Sequence, residues 1–169
     1  MTGESVDEAQ EWLLSAIARG GEWPGRAVPS ARTGLNAITR DLAAAPESVR
    51  EAREFTREGL AVWGLAAMYD DVSLVVSELV TNALRHAVGG GARPGDTPIR
   101  LGVLRTGGRL TCAVADPSDD VPMQGEADFV SQSGRGLYLV AAFSDSWSWT
   151  PLYGHGKVVW ASFTIRAGY

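Results

Sequence analysis

The chain has a single cysteine, Cys112, and two histidines, His86 and His155, among 169 residues. One cysteine excludes an intramolecular disulfide framework and suits a reducing cytoplasm. With so few thiols and imidazoles, a dedicated zinc site is not expected. No apolar run approaches the ~20 residues that a membrane-spanning helix needs. The opening MTGESVDEAQEW lacks a basic n-region and an apolar h-region, so no signal peptide is expected. Arginines are scattered and form no run, and the net charge is −5. That balance gives no electrostatic case for nucleic acid or for an anionic membrane surface. These absences point to a cytoplasmic protein with no direct nucleic-acid partner and no membrane partner.

What is present describes a globular chain. Hydrophobic residues make up 45% and charged residues 21%, outside the range of disordered sequences. The length fits one core domain, taken as residues 32–169, behind an extension over 1–31. In that extension SVDEAQEWLLSAIAR (5–19) reads as a short helix with Ser5 and Glu8 at capping-box spacing. GGEWPGRAVPS reads as a Gly/Pro linker. Residues 31–42 (ARTGLNAITRDL) are ambiguous: Leu35, Ala37 and Thr39 set against Asn36, Ile38 and Arg40 allow a short edge strand. Pro46 suits a first helical turn, Val49, Ala52, Thr56, Leu60 and Trp63 follow at helical spacing, and Gly64 supplies a stop.

The stretch VSLVVSELVTNALRHAV, Val72 to Val88, carries the clearest pattern. Val72, Val75, Val76, Leu79, Val80, Ala83, Leu84 and Ala87 recur at i, i+3, i+4, i+7, one face of a helix opened near Asp70-Asp71. The opposite stripe carries Asp71, Glu78, Asn82 and Arg85, with His86 at its edge. Glu78 and Asn82 are one turn apart on a common face. A carboxylate and a carboxamide so placed suit a shared hydrated metal ion, or a base beside a ligand for a phosphate-bearing substrate. Taken alone, a solvated helix face is the simpler explanation at this point.

Downstream, Ile99, Leu101 and Val103 alternate with Arg100 and Gly102 as a half-buried strand. Gly107-Gly108 turns the chain into a second strand through Leu110, Cys112 and Val114 to Asp116. Residues 117–133 read as an irregular loop, and GRGLYLVAAF as a glycine-opened helix from about Arg135. SWSWT and KVVWASFTIR read as two antiparallel strands about a turn at YGHG. Trp147, Trp149 and Trp160 at strand spacing are expected to pack within the sheet rather than to cage a ligand. The elements predict an α+β fold, a two-layer sandwich of helices on one face of a mixed, mostly antiparallel sheet.

A helix bearing Glu78 and Asn82, a strand ending in Asp116, and Gly134-x-Gly136 at a helix N-terminus stand in sequence order. Free amides at a helix N-terminus attract phosphate, and glycines let it approach closely. In this order the chain resembles the GHKL (Bergerat-fold) ATP-binding superfamily, and within it the bacterial anti-sigma-factor serine/threonine kinases. SELVTNALRHA is similar to that family's N-box, VADPSDDVP stands at its first glycine box, and SGRGLYLV resembles its second. GKVVWASF resembles the closing strand of the small regulatory members. The resemblance spans roughly residues 32–166.

The resemblance implies ATP and Mg²⁺ as cofactors. Glu78 would be the catalytic base and Asn82 the ligand to Mg²⁺ bridging the phosphates. Asp116 would accept from the adenine amino group, and Gly134, Arg135 and Gly136 would close over the phosphates. Arg85, His86, Ser118 and Leu137 complete the implied nucleotide contacts. The implied function is a serine/threonine kinase acting on a small anti-sigma-factor antagonist and sequestering a sigma factor, with a homodimer left open. The alternative is a nucleotide-dependent binding module without kinase activity. Two departures are visible: Asp116-Pro117-Ser118-Asp119-Asp120 stands where Asp-x-Gly-x-Gly is common, and Gly156-Lys157-Val158 stands where many members carry a threonine.

Overall fold

The computed structural model describes residues 35–91, 93, 96, 98–120, 132–151 and 156–166. The expected extension over 1–31, most of the loop after Asp116, and His155 lie outside the described residues. Strand β1 (Leu35–Leu42) occupies the segment read as a short strand and lies at the sheet edge. Pro46, at φ −56°, already has helical backbone and precedes α1 (Glu47–Val62). Gly64 ends the helix at φ +71°, and the N–H of Leu65 donates back to the Leu60 carbonyl at 2.7 Å. Arg105 Nη1 donates to the Trp63 carbonyl at 2.7 Å, tying the end of α1 to the sheet.

A 3₁₀ turn (Ala66–Met68) leads into α2 (Tyr69–Gly89), whose first turn carries Asp70 and Asp71 as the helix dipole favours. Val72, Val75, Val76, Leu79, Val80, Ala83 and Ala87 are buried, and Leu84 packs against the same core, so the expected apolar stripe is the observed one. Strands β2 (Ile99–Thr106) and β3 (Arg109–Asp116) form the expected hairpin, with Gly107 at φ +54° in its turn. Helix α3 (Gln132–Phe143), β4 (Ser146–Pro151) and β5 (Lys157–Thr164) complete the fold.

The described strands form one sheet in the order β1-β2-β3-β5-β4, antiparallel at each pairing. Three helices lie against it, giving the expected α+β architecture. The core joins α2 to Leu101, Val103, Leu110, Cys112, Val114, Ala161 and Phe163. Trp147 and Trp149 pack at its margin, as sheet-packing residues should. No described helix is long and apolar enough to cross a membrane.

Two details differ from the sequence reading. The hairpin was expected to be half-buried, yet Gly102 and Leu104 are buried, and β3 is buried at every position but Arg109. Strand β3 lies at the middle of the sheet, where neighbours on both sides shield it. Helix α3 begins at Gln132 rather than near Arg135, so both glycines of Gly134-x-Gly136 lie within its first turns.

Candidate functional site

The polar stripe of α2 is solvated at Asp71 and Arg85 but not between them. Glu78 and Asn82 are half-buried because α3 crosses them at Gly136. A Cβ built on Gly136 would lie 2.9 Å from Glu78 Oε2, 3.3 Å from Asn82 Oδ1 and 3.4 Å from Asn82 Nδ2. Only a glycine allows this approach without displacing the carboxylate. Residues 54 or more positions apart in the chain therefore meet at one point. Gly134 lies in the first turn of α3, where backbone N–H groups lack acceptors within the helix. Together these residues supply a carboxylate, a carboxamide and a helix N-terminus beside a surface bare of side chains.

The second half of the site is built by the sheet. β3 ends at Asp116, which pairs in register with Lys157 at the start of β5. Both side chains are almost closed off, at 3% and 2% exposure, and Lys157 Nζ lies 3.0 Å from Asp116 Oδ1. The same oxygen accepts the Ser118 N–H at 2.8 Å, an Asx-type turn that the Asp-Pro start of the loop favours. Gly156, immediately before the lysine, has φ +92°, and a Cβ there would fall 2.5 Å from the Asp116 carbonyl oxygen. Its left-handed conformation and the crowding together require glycine at this crossing.

The loop after Asp116 joins the two halves. Glu78, Asn82 and His86 are spaced by four along α2, and His86 Nδ1 comes within 3.6 Å of Asp120 Oδ2. Asp119 Oδ1 accepts the Gly156 N–H at 2.7 Å, and Ser118 Oγ accepts the Asp120 N–H at 3.1 Å. The two extra carboxylates of this loop are thus directed at protein donors and at an imidazole. Arg85 is exposed, and Leu137 is buried at 3%, where it packs rather than presenting its side chain outward. The side chain of Arg135 lies outside the described residues.

Lys157 escaped the sequence reading. The signal for it was present: in KVVWASF the lysine shares the strand face of Val159, Ala161 and Phe163, which turn to the core. A lysine at an inward position demands a buried anion, and Asp116 is the one across the strand pair.

A helix carrying a carboxylate and an amide packs under a glycine-led helix, and a strand ends in a buried aspartate, within one α+β domain. The model of the histidine kinase-like ATPase domain matches residues 42–163, and the chain belongs to that family. Among curated relatives, the serine-protein kinase RsbW of Bacillus licheniformis is 32% identical over an alignment 88 residues long that covers 45% of this chain. The alignment covers 53% of that relative, so the chain spans about half the relative's length. The fold is similar to that in the crystal structure of the RsbU and RsbW domains of Rv1364c from Mycobacterium tuberculosis. That likeness has TM-score 0.59 and 21% identity, over 78% of this chain and 33% of the other. It is also similar to a chain in the SiaB–SiaC complex from Pseudomonas aeruginosa, with TM-score 0.57 and 13% identity over 95% and 99% of the two chains.

Proposed function

We propose that this chain binds Mg-ATP and transfers its terminal phosphoryl group to a serine or threonine of a small antagonist protein, and that it sequesters a sigma factor when free of that antagonist. The observation that carries this reading is the meeting of Glu78 and Asn82 with Gly136, which brings a carboxylate and a carboxamide beside a helix N-terminus. Phosphoryl transfer needs positioned phosphates, charge neutralisation and a group that orients the attacking hydroxyl. The residues fit that need. Among the described residues no three His, Cys, Asp or Glu side chains converge to form a metal cage. Asn82 would instead share Mg²⁺ with phosphate oxygens, the sparse protein shell that this ion accepts. The bound nucleotide would supply the phosphoryl group. Glu78 would orient or deprotonate the hydroxyl, Asp116 would accept from the base, and Gly134 would offer its backbone N–H.

The similarity to RsbW, named a serine-protein kinase, supports the hydroxyl as acceptor. The likeness to a chain in the SiaB–SiaC complex supports a protein partner of comparable use. The alternative, a nucleotide-gated binder without transfer, draws support from the closure of the Asp116–Lys157 pair over the base end of the site. Incubation with γ-labelled ATP, Mg²⁺ and a candidate antagonist separates the two. Label on an antagonist serine or threonine is expected. Nucleotide-dependent complex formation without label would favour the binder.

A further inference from the structure

Lys157 is the largest side chain in the described structure with less than 2% of its surface exposed. An ammonium is seldom taken from water to this degree, because the lost hydration must be offset by a partner. A buried ion pair is weak evidence for stability, because an apolar pair of like volume serves a fold as well or better. This one is nevertheless built in by the register that sets Asp116 opposite Lys157 and by a glycine at φ +92° that lets the strands close. The site reading given above uses Asp116 and leaves the ammonium without a task.

We propose that Lys157 is a specificity-determining residue of the nucleotide site, donating to ring nitrogen N1 of adenine while Asp116 accepts from the neighbouring 6-amino group. The inference rests on the reading of Asp116 as the base acceptor. The Lys157 Nζ bond at 3.0 Å and the Ser118 N–H bond at 2.8 Å both fall on Oδ1 of Asp116. They fix the carboxylate and leave Oδ2 outside these two contacts. The ammonium has three protons, one on Asp116 and one directed at the Ser118 carbonyl at 3.5 Å. The pair therefore sets an acceptor beside a donor. Adenine's edge sets a donor, the 6-amino group, beside an acceptor, N1. Guanine offers the same two chemistries in the reverse order, O6 accepting and N1–H donating, so the pair opposes it in the same orientation. A base reaches these groups by replacing the atoms now over them, and away from water each contact to a charge gains strength.

The test is equilibrium binding of ATP, 1-deaza-ATP and GTP to the full chain. 1-Deaza-ATP carries a C–H in place of N1 and keeps the 6-amino group. Wild type is expected to lose about tenfold or more in affinity from ATP to 1-deaza-ATP, the scale of one hydrogen bond to a charged group. Lys157→Met is expected to bind the two within about twofold of each other, since the coupling between N1 and the ammonium is gone. Should that variant unfold because Asp116 is left buried and unpaired, Asp116→Asn/Lys157→Met carries no buried charge and is expected to show the same loss of discrimination. Equal binding of ATP and 1-deaza-ATP by wild type overturns the inference while leaving nucleotide binding intact. Full discrimination retained without the ammonium overturns it too, as does tighter ATP binding by Lys157→Met, which would make the ammonium a competitor of the amino group. GTP bound more tightly than ATP overturns the orientation. No binding of ATP to wild type overturns this inference and the proposed function together.

Discussion

Glu78 and Asn82 lie one helical turn apart and face Gly136 with different chemistry, so the proposed reading gives them different tasks. A carboxylate can take a proton; a carboxamide can only coordinate or hydrogen-bond. Glu78→Gln keeps size and helix propensity and removes basicity, so it should retain the rise in melting temperature with Mg-ATP. Phosphoryl transfer should fall by about 10²–10⁴-fold, the usual contribution of a general base. Asn82→Ala removes the proposed metal ligand and should lose both. Thermal shift and label transfer on the same preparations check this. Equal transfer rates for wild type and Glu78→Gln would remove Glu78 from the role of base. At this scale the sequence was most legible where residues sit close in the chain, since spacing alone places Glu78 and Asn82 on one face. Lys157 was not legible as a partner of Asp116 because they are 41 positions apart. Their meeting depends on the register of β3 against β5, which an intervening helix and strand set.

Among the elements, α2 was readable almost to the residue because its apolar period and its buried face coincide. α3 was readable as a helix, but its start was placed about three residues late, since a Gly-x-Gly run weakens the local helical signal. The packing of α3 on α2 was not readable from periodicity; it shows in Val140, which joins the core of α2, and in what a Cβ at Gly136 would strike. Gly136→Ala tests that packing. The atoms it meets are the tips of Glu78 and Asn82 rather than backbone, so those side chains should give way and the fold should persist. Alanine also favours the helix by about 1 kcal/mol over glycine. The expected outcome is a melting temperature near or above wild type, with Mg-ATP affinity and transfer both reduced. A variant that keeps full transfer would show that the close approach of α3 is not needed to set Glu78 and Asn82.

For the whole molecule, the layer architecture followed from the alternation of periods along the chain, whereas the depth of the sheet did not. β3 alternates enough to read as half-buried, yet as the middle strand it is sealed along nearly all its length. Cys112 lies there with no exposed surface, paired in register with Val103 on β2 and Ala161 on β5. Desolvation by burial pushes its thiol from 9.0 up to about 12. In the unfolded chain the thiol ionises near pH 9, while in the folded chain it stays protonated until about pH 12. Between those values the unfolded state binds fewer protons, so stability must fall as pH rises. Below pH 9 the thiol's contribution is flat. The slope from one such group approaches about 1.4 kcal/mol per pH unit within the window. Other groups titrate there as well, and Cys112→Ala isolates the thiol by keeping Cβ and removing only the sulfur. Denaturant unfolding of both proteins from pH 8 to pH 11 should give curves that run parallel below pH 9 and converge above it, wild type losing stability faster. The same burial predicts that a thiol-directed reagent at neutral pH labels Cys112 no faster than the chain opens. Parallel curves across the whole range, or labelling at the rate of a free thiol, would mean that β3 is not the sealed centre of the sheet.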